Sequence, residues 1–238
     1  MLRLFKVFEV QVYAHWSLLF LFCLVCPSIY GAVLTETHSA LESMIVAGLI
    51  GVLFVGSILV HELAHARTGQ ALGVGFDSIT LFVLGGIASM NGQLKRPKAE
   101  FLMAGAGPLC SLVVGGLCLV LMAFTPDGLI VRLMFAYVGI INIVLGVFNG
   151  FIPILFPSDA SRMLRAVLWH CTGSFVFATK IAARLGQGGS AAFVLMGVVM
   201  VFGVQVPFFG TGLSNGLWTA VIGAFLFTMA TKELRSVE

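Results

Sequence analysis

Long uncharged runs dominate the chain. Residues 44–60 read MIVAGLIGVLFVGSILV without one charged side chain. Runs of similar character recur at about 15–35, 43–65, 101–125, 130–157, 190–209 and 215–231. Each approaches the ~20 residues a helix needs to cross a hydrocarbon layer. The pattern therefore predicts an all-α polytopic membrane protein with six transmembrane helices. One stretch departs from it. Residues 74–90, VGFDSITLFVLGGIASM, are rich in β-branched and aromatic residues and carry Gly85-Gly86 in their interior, which predicts two strands and a tight turn. Residues 7–13 partly alternate and are the expected pairing partner. Non-helical backbone at membrane depth is tolerated only where protein or a water-filled cavity covers it, so a small membrane-embedded β-hairpin or sheet is expected near 74–90. With no internal repeat and no linker, residues 1–238 read as a single transmembrane domain.

Composition agrees. Soluble domains carry roughly 25% charged residues; here 10% are charged and 59% hydrophobic, too few polar groups to cover a water-facing globule. No basic patch is interleaved with exposed aromatics, which excludes nucleic acid as a partner. Of the five cysteines, Cys23 and Cys26 form a CxxC pair inside an apolar run, where cysteine reads as a small apolar residue; no disulfide framework is implied.

The placement of positive charge orients the spans. Arg3 and Lys6 precede the first. Arg67, Lys95, Arg96 and Lys98 lie between the second and third, Arg162, Arg165, Lys180 and Arg184 between the fourth and fifth, and Lys232 and Arg235 after the sixth. Six spans put these twelve of the thirteen basic residues on one side and Arg132 alone on the other. Both termini are expected to be cytoplasmic, in a multi-pass protein of a prokaryotic cytoplasmic membrane. A cleavable signal peptide is the rival reading of the N-terminus; no small-x-small site follows closely, and losing that span would spoil the charge pattern. Residues 159–186 read as a partly amphipathic helical connector on the cytoplasmic side.

Against this background one polar cluster stands out. His61-Glu62-Leu63-Ala64-His65 follows directly on the uncharged run. Ionisable residues inside a membrane are costly and default to a functional site. Spacing of four puts the two imidazoles on one helix face, where they can share one Zn²⁺, and Glu62 can serve as general base toward a water activated there. A catalytic zinc needs a third protein ligand. Glu36, His38, Glu42 and Asp127 fall on the far side of the membrane. On the near side stand His15, Asp77, Glu100, Asp159 and His170. Asp159 is favoured because it follows a stretch broken by Pro153 and Pro157, at the depth of the two histidines. Asp77 remains a rival. Glu100, beside Arg96 and Lys98, reads as a solvated interfacial residue.

Four patches resemble the site-2 protease family of intramembrane zinc metalloproteases, in its compact prokaryotic form without a regulatory domain: HELAHA from residue 61, LFVLGGIA at 81–88, AGAGPLCSLV at 104–113, and INIVLGVFN at 141–149 followed by PSDASRMLRA at 157–166. The resemblance implies His61, His65 and Asp159 as ligands to one Zn²⁺ per chain and Glu62 as catalytic base. It implies that Asn149 holds or polarises the substrate. It also implies an embedded hairpin, around Gly85 and Gly86, to whose edge an unwound substrate strand adds. Two features depart from the family pattern: Ala160-Ser161 stand where the family usually has Gly-Gly after the aspartate, and the interval from Asn149 to Asp159 is two residues longer.

The function expected is hydrolysis of a peptide bond in or near a transmembrane segment of another membrane protein, as in regulated intramembrane proteolysis. The partners expected are a single-pass or other transmembrane substrate and the lipid bilayer. Gly212 and Gly216 are spaced for close helix packing, within the chain or in a homo-oligomer. Two alternatives stand beside this reading: a membrane protein that binds or transports metal without hydrolysis, and a catalytically silent homologue.

Overall fold

A computed structural model describes residues 1–83, 85–92, 94–128, 130–154, 157–207 and 209–237. Among the described residues, six helices are long and apolar enough to cross a membrane: α1 (Leu18–Thr37), α2 (Ala40–Ala71), α3 (Pro97–Phe124), α4 (Ile130–Phe151), α6 (Phe175–Val201) and α7 (Leu213–Arg235). A shorter helix, α5 (Asp159–Thr172), follows α4. Four strands, β1 (Leu2–Val7), β2 (Val10–Ala14), β3 (Gly75–Phe82) and β4 (Gly85–Asn91), form one sheet in the order β1-β2-β3-β4. The chain divides into two compact units, Met1–Lys95 with Gly105–Phe148, and Arg96–Ala104 with Asn149–Glu238.

In the first unit, the hairpin expected near 74–90 is the antiparallel β3–β4 pair; the turn position Leu84 lies outside the described residues. The alternating segment at 7–13 does join it: β2 runs parallel to β3, pairing Gln11 with Ser78 and Ala14 with Leu81. The sheet extends one strand further than expected, because β1 folds back antiparallel on β2. Its two-residue turn places Phe8 and Glu9 at φ 49° and 67°, a conformation that Asn-Gly or Asp-Gly would announce. Phe8-Glu9 gives no such signal. The turn is instead held from outside: Gln70 Nε2 donates to the Phe8 carbonyl (2.8 Å) and Arg67 lies 4.9 Å from the Phe8 ring centroid. Val10, Val12 and Ile79 are fully buried, which fixes the register by fixing the face.

Helix α1 packs on α2 through Ile29, Val33, Val46, Ala47 and Ile50. The two are joined by a sharp turn with His38 in the left-handed region and Ser39 capping α2 through Glu42 N–H. Small residues let α3 and α4 approach closely: a Cβ on Gly115 would lie 2.9 Å from the Gly139 carbonyl, and one on Gly146 would lie 2.9 Å from that of Pro108. Helix association in lipid depends on such packing. Outward positions such as Leu53, Leu117 and Val144 are exposed, far more apolar surface than water tolerates.

In the second unit, α6 and α7 cross at glycines. A Cβ on Gly197 would lie 2.5 Å from Ala220 N, and one on Gly216 would lie 2.6 Å from the Gly197 carbonyl. Gly216, half of the expected GxxxG spacing, thus packs within the chain. Expected span limits shift for definite reasons. The fifth helix begins at Phe175, not near 190, because Lys180, Arg184 and Gln187 lower its apolar content without breaking it. The connector at 159–186 is therefore α5 plus the start of α6, divided by Gly173 at φ 70°. The fourth helix stops at Phe151, since the residue before Pro153 is steered out of the helical region.

A buried ion cluster also belongs to this unit. Arg165 on α5 donates from Nε to Glu100 (2.8 Å) at the start of α3, and pairs with Glu233 near the end of α7. Glu100 is 3% exposed, so the expected solvated role is corrected: the arginine that neutralises it is distant in sequence. Burial and the neighbouring Arg165 pull the Arg162 guanidinium below its ordinary value, while Asp159, Glu100 and Glu233 act in the opposite direction. A guanidinium nonetheless remains charged in a protein.

Candidate metal centre

Helix α2 does not end with the histidine motif, as the hydropathy pattern suggests; it continues to Ala71 and stops at Gly73, φ 86°. Its last turn, Arg67 to Gln70, is polar but contains no proline, so every residue can still donate to the backbone ladder. His61 and His65 therefore lie in the helix interior, one turn apart on a rigid segment. They are 4% and 5% exposed, with rings edge to face at 78° and centroids 4.9 Å apart. Their Nε2 atoms face each other at 3.2 Å. Two nitrogens bound to one tetrahedral zinc at about 2.0–2.1 Å sit about 3.3 Å apart, so the imidazoles already hold the spacing that a shared ion needs.

The opposite wall of this space is backbone. Gly107 on α3 faces the two Nε2 atoms so closely that a Cβ there would lie 2.3 Å from that of His65 and 2.7 Å from that of His61. The cradle is one that a single methyl group would fill. On its other edge, His61 Nδ1 lies 2.9 Å from the Ser111 hydroxyl, one turn further along α3. One turn before His61 on α2, the Ser57 hydroxyl accepts from Asn142 Nδ2 of α4 (2.8 Å), and Asn142 is 1% exposed. The polar residues of α2 thus form a seam met by α3 and α4.

Glu62 is half-buried and turns toward the sheet. A Cβ on Gly86 would lie 2.4 Å from its Cγ and 2.9 Å from its Oε1, so the start of β4 passes directly against the carboxylate. Gly85, at φ 129°, opens the same strand with no atom near its missing Cβ. β4 is an outer strand of the sheet and much of it is exposed.

Among the rival ligands, Asp77 and His170 are exposed. His15 is bound to Ser17 through Nδ1 (2.8 Å) and lies against Trp16, and Glu100 is held by Arg165. Asp159, in the second unit, is half-buried and opens α5 directly after its cap Ser158, whose hydroxyl accepts from Ser161 N–H (3.3 Å). Ala160 and Ser161 follow in ordinary helical conformation; neither has positive φ, so replacing glycine there strains nothing. Asn149 is half-buried in the last turns of α4.

Sequence reasoning from the residues alone missed Gly107, Ser111 and Asn142. Gly107 and Ser111 lay inside the AGAGPLCSLV patch, where the only signal was a small residue and a hydroxyl at helical spacing.

The family model for peptidase family M50 matches residues 49–132, the interval that carries most of α2, the hairpin and α3. Over that interval the chain is similar to this family. It is 33% identical over 230 residues to a Mycobacterium tuberculosis protein, Rip3, whose name describes a zinc metalloprotease; the match covers 93% of this chain and 56% of that protein. It is 31% identical over 239 residues to a zinc metalloprotease of Methanocaldococcus jannaschii, covering all of this chain and 61% of the relative. The chain thus spans little more than half the length of these curated relatives. Among solved structures, the fold seen here resembles the site-2 protease from Methanocaldococcus jannaschii, with a TM-score of 0.64 and 27% identity over the whole chain and 96% of that structure.

Proposed function

We propose that the protein is a zinc-dependent intramembrane endopeptidase that hydrolyses a peptide bond in or near a transmembrane segment of another membrane protein. The observation that carries this reading is the pair of buried imidazoles with converging Nε2 atoms beside Glu62, inside a helix otherwise apolar enough to span a bilayer. His61, His65 and Asp159 are the proposed ligands of one metal ion, two imidazoles and a carboxylate being donor types suited to zinc. A zinc ion held there supplies Lewis acidity toward the scissile carbonyl and a nucleophile at neutral pH. Glu62 takes the proton of the attacking water and delivers it to the departing amine. The peptide bonds of a helical substrate are shielded, so the segment must first unwind. β4 offers an edge on which the unwound strand is received by main-chain hydrogen bonds, and Gly86 brings that edge against Glu62. Asn149 is the proposed second contact to the substrate. Residues 1–238 act as one catalytic domain, with both termini and the metal centre toward the cytoplasmic side.

Glu62→Gln tests the reading. With a transmembrane substrate in proteoliposomes, cleavage falls by at least about 10²-fold while zinc content stays at one per chain. Undiminished cleavage by this variant removes Glu62 from the mechanism.

A further inference from the structure

We propose that Ser111 is a positioning residue for the metal centre: its buried hydroxyl accepts the Nδ1 proton of His61 and so fixes the tautomer that leaves Nε2 free to bind zinc. The inference rests on the proposed ligand role of His61 and deepens it. A neutral imidazole carries one proton on two nitrogens, and the hydrogen bond made by one nitrogen decides what the other can do. His61 Nε2 is the edge turned toward His65, at 3.2 Å. A ligand there must present a lone pair, which leaves the proton on Nδ1. The Ser111 hydroxyl is 2.9 Å from that nitrogen, and Ser111 is 2% exposed. The Ser111 side of the ring is thus closed off by packing, and a buried donor left without an acceptor carries the full cost of its desolvation. Without Ser111, turning the ring or moving its proton to Nε2 recovers an acceptor, and either one removes the imidazole from the metal.

The arrangement on α3 is matched to that on α2. Gly107 and Ser111, one turn apart, address the two edges of the imidazole: the first leaves the Nε2 side open, and the second anchors the Nδ1 side. Outer partners of metal-bound histidines typically contribute 10–100-fold to metal affinity.

The test is competitive zinc titration of the full chain in detergent against a chelator, with the unfolding temperature of each metal-free variant measured in parallel. Ser111→Ala weakens zinc binding by about 10–100-fold. Ser111→Thr, which keeps the hydroxyl, restores most of the affinity. Ser57→Ala is the control for a merely structural role: it deletes another buried hydroxyl one turn from His61, bound to Asn142 instead of an imidazole, and leaves zinc affinity unchanged whatever it does to the unfolding temperature. If Ser111→Ala does not fold, Ser111→Cys, of similar volume and a weak acceptor, takes its place with the same expectation. Zinc on the parent chain, lost in His61→Ala but undiminished in Ser111→Ala or its cysteine substitute, overturns the role of Ser111 alone. A parent chain without zinc, or His61→Ala with parental affinity, overturns the metal reading and this inference together.

Discussion

The space between Gly107 and the two imidazoles is small enough for one methyl group to decide its use. Alanine at 107 is the better helix former by up to about 1 kcal/mol, yet its Cβ would stand 2.3 Å from His65 Nε2. Gly107→Ala is therefore expected to lower zinc content at least tenfold in elemental analysis of purified protein while the helical circular dichroism signal holds. Gly86→Ala acts on the other functional atom. Its Cβ would push on Glu62 Cγ, so the turnover rate falls at least tenfold while zinc is retained, a split that separates displacement of the base from loss of the metal. These two glycines also mark the limit of what the sequence shows at this scale. His61, Glu62 and His65 were legible because their relation is local, fixed by one helical turn. Gly107 and Ser111 were not, because their importance arises where α3 crosses α2, and no spacing along the chain records that crossing.

Elements are decided by where helices start and stop, and here polar residues mislead in both directions. Arg67 to Gln70 look like a loop after a span and are helix; Lys180 and Arg184 look like a connector and lie within α6. The signals that do end helices are stereochemical: Gly73 and Gly173 in the left-handed region, and Pro153 after Ile152. The altered residues after Asp159 were a concern only if the backbone there needed positive φ. Because α5 begins at Asp159 itself, capped by Ser158, alanine and serine sit in ordinary helix. The cap is worth about 0.5–2 kcal/mol, so Ser158→Ala should lower stability by that amount in denaturant titration. The ion cluster is the stronger restraint, since Arg165 on α5 reaches both Glu100 and Glu233. Removing one partner of a buried pair costs about 3–5 kcal/mol because it leaves a charge stranded. Arg165→Met should show that loss, and adding Glu100→Gln should recover part of it, since the second change removes the stranded carboxylate; a double variant whose loss equals the sum of the Arg165→Met and Glu100→Gln losses would show that no coupling exists.

For the whole molecule the bilayer is the missing half of the solvent. The six spans could be counted from the sequence because lipid demands length and apolarity together, and orientation could be proposed because basic residues avoid one side. Two cysteines make that orientation measurable. Cys23 is exposed on the apolar α1 and Cys171 is exposed near the end of α5. In intact membranes a water-soluble, membrane-impermeant maleimide should leave Cys23 unlabelled, and should label Cys171 in inverted vesicles but not in right-side-out ones; the opposite pattern reverses the topology. What the sequence could not show was that the sheet reaches one strand beyond β2, since the β1–β2 turn carries no signal; β2 itself, expected as the hairpin's partner, meets β3 only after two spans. That delay has a meaning for biosynthesis. β2 leaves the ribosome early, but β3, to which it pairs in parallel, is translated only after α1 and α2. β4, the strand that sets Gly86 against Glu62, comes later still. The nascent chain therefore completes its histidine helix before the strands that flank Glu62 exist, so the sheet can close only after that helix is made.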